Sequence, residues 1–180
     1  DLKYLTKEAA EFPMAIAPSK ISIFGTPGSG KTTLAIKLGK SSGLPVFHLD
    51  KLLWDKGWIL RPRQDFIEDH QKLIVQNKWI IEGTSRTTLD TRYPISDVVI
   101  FLNPPRLVCL FLVFKRFLFT RSQMPDKPEG CKEKISLDFL KYLWRFKRPA
   151  LIHIQKLKEK YPEIRLIEIT SIKDIKELTI

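Results

Sequence analysis

Cysteine is scarce in this sequence: Cys109 and Cys131 are the only two in 180 residues. Two cysteines cannot make the disulfide framework of a small secreted domain, and a reducing, cytoplasmic setting is the expectation. Metal-type spacing such as C-x-x-C is absent. Long apolar runs are missing too. The longest, Leu107 to Phe114, ends at Lys115-Arg116 and falls far short of the ~20 residues that cross a bilayer, so no membrane partner is expected. The N-terminus has no apolar secretory stretch, and the chain shows neither internal repeat nor low-complexity tract. Acidic residues are in deficit, with 20 Asp+Glu against 31 Lys+Arg and a net charge of +11. Such a field draws phosphates, nucleic acid or acidic surfaces without choosing among them. Guanine-type N-K-x-D and transporter-type L-S-G-G-Q signatures are absent, which argues against a GTPase and a transport ATPase. No helix-turn-helix or zinc-finger pattern occurs.

What remains is ordinary globular material, 43% hydrophobic and 28% charged, enough for one domain with a sizeable core. Residues 1–19 show weak helical signals around Lys7 to Glu11 and then Pro13 and Pro18, and read as an N-terminal extension. From residue 20 to 180 no linker divides the chain. Short apolar runs at Ile21–Phe24, Val46–Leu49, Trp79–Ile81, Val98–Leu102 and Arg165–Ile169 read as strands. Helical patterns fall between them, over about 33–42, 63–76, 105–119, 136–147, 150–160 and 172–178. Strands alternating with helices predict an α/β fold, three layers deep, with a five-stranded parallel sheet. Pro125, Pro128 and Gly130 among many charges mark 121–134 as a loop.

One stretch organises the rest. Gly25-Thr26-Pro27-Gly28-Ser29-Gly30-Lys31-Thr32 fits G-x-x-x-x-G-K-[ST], the loop that cradles phosphates in nucleoside-triphosphate enzymes. A strand precedes it, and a helix opening with Thr33 follows. Glycines at 25, 28 and 30 let backbone N–H groups turn toward phosphate oxygens, and the helix adds its positive end. Lys31 suits the β- and γ-phosphates, and Thr32 suits Mg²⁺.

In a parallel sheet the ligand sits beyond the carboxyl ends of the strands. Asp50, after the second strand, and Glu82, after the third, fall there. Two carboxylates beside a triphosphate can hold metal-bound water or take a proton from an attacking hydroxyl. Arg86, Arg92, Arg116, Arg121, Arg145 and Arg148 can neutralise phosphate charge, with Arg86 and Arg116 foremost and Arg121 next. His48 reads as a hydrogen-bonded core or pocket-wall residue. Trp54 and Trp58 flank Gly57 and can stack on a substrate or pack a loop. The aromatics Phe139, Tyr142, Trp144 and Phe146 fall at helical spacing and read as core.

The phosphate loop, His48-Leu49-Asp50 with Trp54 and Gly57-Trp58, and Glu82-Gly83-x-x-Arg86 together resemble the adenylate-kinase-like P-loop kinases. The branch they are most similar to is the bacterial DNA topology modulation (FlaR-related) and adenylate-kinase-related proteins, over residues 20 to about 148. The resemblance implies a nucleoside-monophosphate-kinase fold with a lid near 120–134, and ATP with Mg²⁺ as donor. It implies that Glu82 acts near the metal and that Arg86 holds acceptor phosphate; from the residues themselves, the expected Mg²⁺ site is Thr32 with Glu82 or Asp50 through water. Glu82-Gly83-Thr84-Ser85-Arg86 has Glu and Thr-Ser where adenylate kinases have Asp and an aromatic-Pro pair, so the acceptor stays open. The expectation is a kinase of a small acceptor in which Lys31, Asp50, Glu82, Arg116 and Arg121 do the chemistry and Asp50, Trp54, Trp58 and Arg86 bind the acceptor. The alternative is a regulatory nucleotide-binding protein that acts on DNA. That reading is motivated by the +11 charge and would show salt-sensitive DNA binding.

Overall fold

A computed structural model describes residues 17–119 and 135–178. Residues 1–16 of the expected N-terminal extension 1–19, the segment 120–134 expected as a lid, and Arg121 within it lie outside the described residues. The chain runs β1 (Lys20–Gly25), α1 (Lys31–Ser42), β2 (Val46–His48), α2 (Leu49–Leu53), β3 (Trp54–Asp55), β4 (Ile59–Leu60), α3 (Arg63–Ile74), β5 (Trp79–Glu82), α4 (Arg86–Arg92), β6 (Val98–Leu102), α5 (Arg106–Phe119), α6 (Leu137–Lys160), β7 (Arg165–Ile169) and α7 (Ile172–Glu177). Five strands form a parallel sheet in the order β2-β5-β1-β6-β7, and β3 pairs with β4 in a small antiparallel hairpin.

The central strands are apolar on both faces because helices cover both. Strand alternation sends Ile21, Ile23, Val98, Ile100 and Leu102 toward α1 and α7, where Leu34, Ala35, Leu38 and Ile175 meet them. Phe24, Val99 and Phe101 point the opposite way, into Leu89, Phe146, Ala150 and Ile154 of α4 and α6. The sheet is therefore clamped from both sides, and all five strands release their chains at one edge.

Two parts of the chain differ from the sequence reading, and two more form elements to which it gave no assignment. The two helices expected over 136–147 and 150–160 are a single helix, α6, that runs through Pro149. Phe146, Ala150, Ile154 and Leu157 bury one continuous stripe on both sides of that proline, and their burial outweighs its local cost. Asp50 does not end a strand; β2 stops at His48, and Asp50 lies in the first turn of α2. The segment 51–63 holds the β3–β4 hairpin, and α4 forms within 84–93 with Ser85 as its cap, the Ser85 hydroxyl accepting from the Thr88 N–H.

Candidate active site

The glycine-rich stretch forms the turn between β1 and α1. Gly28 has φ +75°, and a Cβ there would lie 2.5 Å from Val113 Cγ2 and 2.9 Å from the Cys109 carbonyl oxygen. Gly30 caps α1 with φ +94°. Both conformations strain an L side chain, so the glycines are demanded by the turn itself. The turn is pinned from below by the Thr26 N–H on the Leu102 carbonyl (3.2 Å) and by the Ser29 N–H on the Thr26 carbonyl (3.1 Å). Two buried hydroxyls of the loop, Thr26 Oγ1 and Ser29 Oγ, make no hydrogen bond among the described residues. A buried polar atom in that condition is costly, which marks the loop as shaped for something other than its own interior.

Lys31, first residue of α1, is 8% exposed and folds back so that Nζ donates to the Thr26 carbonyl at 2.9 Å. Burial holds its pKa below the ordinary lysine value, while Glu82 and then Asp50 pull it upward. Glu82, at the end of β5, is itself buried. Its Oε1 lies 2.8 Å from His48 Nδ1 and accepts from Thr32 Oγ1 at 3.2 Å. His48 thus makes the hydrogen bond expected of a pocket-wall histidine. The order β2-β5-β1 explains the meeting: three adjacent strands end at the same level and deliver His48, Glu82 and the phosphate loop to one point.

This point is the floor of an open cleft of about 800 Å³. Pro27, Gly28, Gly30, Lys31, Thr32 and Thr33 form one wall. Asp50, Trp54, Trp58 and Thr84 form the wall beyond β2 and β5, and Lys115, Arg116 and Phe119 of α5 form the opposite one. The Asp50 carboxylate lines the cleft and does not cap a helix, since His48 occupies the cap position. Trp54 and Trp58 meet edge to face, with centroids 5.8 Å apart. The β3–β4 hairpin presents them, with Trp58 held at φ +65° in its turn.

The remaining arginines separate. Arg116 lines the cleft. Arg86 is exposed and lines a smaller groove of about 440 Å³ with Arg148, His153 and Lys156, outside the main cleft. Arg145 and Arg148 are exposed on α6. Arg92 is fully buried; it donates to Thr88 Oγ1 (2.7 Å) and to the Gly83 carbonyl (3.2 Å), which ties down the turn after Glu82. Burial pushes its pKa down to about 9, with Glu82 acting in the other direction.

Sequence reasoning missed Thr84, Phe139 and Tyr142. The aromatics of α6 divide: Phe146 is core, while Phe139 and Tyr142 turn into the cleft, and Tyr142 shares a hydrogen bond with Thr84. Spacing alone could not separate them, because both sets lie on one apolar-looking helix. The signal available was Ser136, which sets where the helix starts and so how it is rotated.

No family model matches the chain, and no curated protein matches it in sequence. In three dimensions it is similar to a gluconokinase from Sinorhizobium meliloti 1021, with a TM-score of 0.52 and 16% identity over 89% of this chain and 86% of that one. It is also similar to a shikimate kinase from Acinetobacter baumannii in complex with shikimate, with a TM-score of 0.50 and 15% identity over 88% and 90%. The fold is that of the P-loop kinases. Within this P-loop fold the glycine-rich turn, Lys31 and Thr32 occupy the start of α1, and the cleft opens at the carboxyl edge of the sheet.

Proposed function

We propose that the chain is an ATP-dependent kinase that moves the terminal phosphoryl group of ATP onto a hydroxyl of a small acceptor. The observation behind this reading is the convergence of Lys31, Thr32, Glu82 and Asp50 in one cleft. Nothing in the chemistry of phosphoryl transfer needs a covalent protein intermediate; positioning and charge neutralisation suffice. The loop amides and Lys31 take the phosphate tail, with the Lys31 ammonium leaving the Thr26 carbonyl for phosphate oxygen. The acceptor hydroxyl attacks the γ-phosphorus as the bond to the β-phosphate oxygen breaks, and its proton passes to Asp50. Thr32 Oγ1 and Glu82 form an all-oxygen donor pair that suits a hard divalent cation, and Thr32 together with Glu82 or Asp50 would hold it. Mg²⁺ bound there supplies charge neutralisation on the transferring group.

Arg116 faces the cleft from α5 and acts on the charge developing in the transfer. The finer kinship with the DNA topology modulation proteins belongs to the same reading and rests on the Asp50, Trp54, Trp58 and Glu82-Gly83-x-x-Arg86 pattern.

The test is a coupled ADP-release assay over a panel of hydroxylated acceptors, with Lys31→Ala as the blank. Acceptor-dependent turnover above the blank supports the kinase. Turnover no faster than the blank with every acceptor removes it.

A further inference from the structure

We propose that His48 is a positioning residue for phosphoryl transfer: it holds the Glu82 carboxylate in the orientation in which it shares a divalent cation with Thr32. This rests on the kinase reading and adds to it a residue that touches neither nucleotide nor acceptor.

The strands set up the contact. His48 and Glu82 are register partners at the last residues of β2 and β5, so their side chains leave the sheet on the same face. The chain just beyond each is locked to the other: an added Cβ on Gly83 would lie 2.7 Å from Leu49 Cβ. The Gly83 N–H is tied in turn to the Ile23 carbonyl at 3.1 Å. A carboxylate only accepts, so His48 Nδ1 carries the proton in its 2.8 Å contact with Glu82 Oε1.

Two cations also act on Glu82, and neither gives it a direction. Lys31 and Arg92 interact with its charge, but the Lys31 ammonium donates to the Thr26 carbonyl and the Arg92 guanidinium to Thr88 and the Gly83 carbonyl. Thr32 does bond the carboxylate, at 3.2 Å, yet its hydroxyl belongs to the same cation site. Among the described residues, His48 is therefore the partner that orients Glu82 from outside that site. Glu82 lines the cleft, and His48 stands behind it, 9% exposed. With Oε1 held from the rear, the carboxylate meets a cation already oriented, with no rotamer search to make at that moment.

The test is the gain in affinity that Mg²⁺ confers on a non-hydrolysable ATP analogue, read by calorimetry with and without the metal. His48→Ala should lower that gain about tenfold, the low end of what outer partners of metal ligands contribute. Asn places its amide nitrogen where His Nδ1 stands, and Gln places it one bond further out. His48→Asn should therefore restore most of the gain and His48→Gln should not. Glu82→Ala should lower the gain as well, and His48→Ala added to it should change nothing further. Metal-free analogue binding, kept in each variant, reports a folded protein with an intact loop; if His48→Ala loses it, the comparison of Asn with Gln decides. An unchanged gain in His48→Ala overturns the inference. So does Asn that is no better than Gln, or an effect of His48→Ala that persists without Glu82. A wild type that binds no analogue at all sinks the kinase reading and this inference with it. A wild type that binds it with a gain indifferent to His48 sinks the inference alone.

Discussion

His48 Nδ1 lies 2.8 Å from Glu82 Oε1, in a contact that both side chains make from buried positions. The same oxygen accepts from Thr32, so one carboxylate atom is fixed from two sides and the orientation of the second is set. Glu82→Gln keeps the shape and removes the charge. Turnover should fall by about 10²-fold, the low end of what a positioned acid–base or metal-orienting group contributes. Binding of an ATP analogue should change far less. His48→Ala should lower stability by about 1–3 kcal/mol, because a buried carboxylate loses a charge-assisted partner. Denaturant midpoints at constant slope check the second value, and steady-state rates the first.

Lys31 carries a second expectation. Burial keeps its pKa under the usual lysine value, against the opposing pull of Glu82 and Asp50. The ammonium is therefore lost at a lower pH than an exposed lysine would lose it, and triphosphate affinity should weaken as pH rises into the alkaline range. Lys31→Ala should cost about 10²-fold in affinity at neutral pH, the scale of a truncated buried charge contact. Glu82→Gln removes the largest upward pull, so its alkaline loss of binding should begin at lower pH than in the wild type. Calorimetric titrations at several pH values would show a profile shared by all three proteins if Lys31 does not meet the phosphates.

The phosphate loop and the sheet were legible because their signals are local. Glycine spacing dictates a turn, and a run such as Val98–Leu102 has no polar face to offer solvent. The arginines were not legible in that way. Arg86, Arg92 and Arg116 look alike in sequence, yet one is exposed, one is a buried strut and one lines the cleft. Which is which depends on the rotation of α4 and α5 against the sheet, and that is set by contacts such as Leu89 on Phe24's side of the core. Tyr142 and Phe146 make the same point on α6: they are neighbours in helical spacing and in ring contact at 5.6 Å, but only one lines the cleft.

Gly28→Ala tests the loop without touching a functional group. The added methyl must enter a space already filled by Val113 and the Cys109 carbonyl, at a φ that alanine avoids. The expected result is a loss of about 1–3 kcal/mol of stability and at least a tenfold loss of ATP-analogue affinity. Ser29→Ala, which changes neither backbone angle nor volume greatly, should leave stability within about 1 kcal/mol and relieve a buried hydroxyl without a partner. Equal effects of the two variants in thermal melts would remove the steric account of the turn.

His70 makes the fold sensitive to acid. It is buried on α3, and burial, with the Arg92 charge as the smaller cause, pushes its pKa from 6.5 down to about 4. The unfolded chain takes up this proton near pH 6.5 and the folded chain near 4, so the unfolded state holds more protons in between. The contribution is therefore complete above about pH 6.5 and is lost as pH falls toward 4. The slope is at most ~1.4 kcal/mol per pH unit and the total about 2–3 kcal/mol. His70→Leu should flatten the Tm–pH curve across that window, and an unchanged curve would remove His70 as its cause.

Pro149 supplies the last expectation. It stands inside α6, where its ring denies the Arg145 carbonyl its usual N–H partner and crowds the preceding turn. A helix-interior proline costs about 3 kcal/mol relative to alanine. Against this, proline restricts the unfolded chain, which offsets about 0.4–1 kcal/mol of that cost. The difference favours alanine by about 2 kcal/mol. In a chain of this length ~1 kcal/mol moves Tm by about 2–4 °C, so Pro149→Ala should raise it by about 4–8 °C. The Phe146–Ala150–Ile154 stripe is untouched by the change, and ATP-analogue binding should be unaltered. A lowered Tm would mean that α6 bends at Pro149 to fit the sheet and that the straightened helix no longer seats its two halves together.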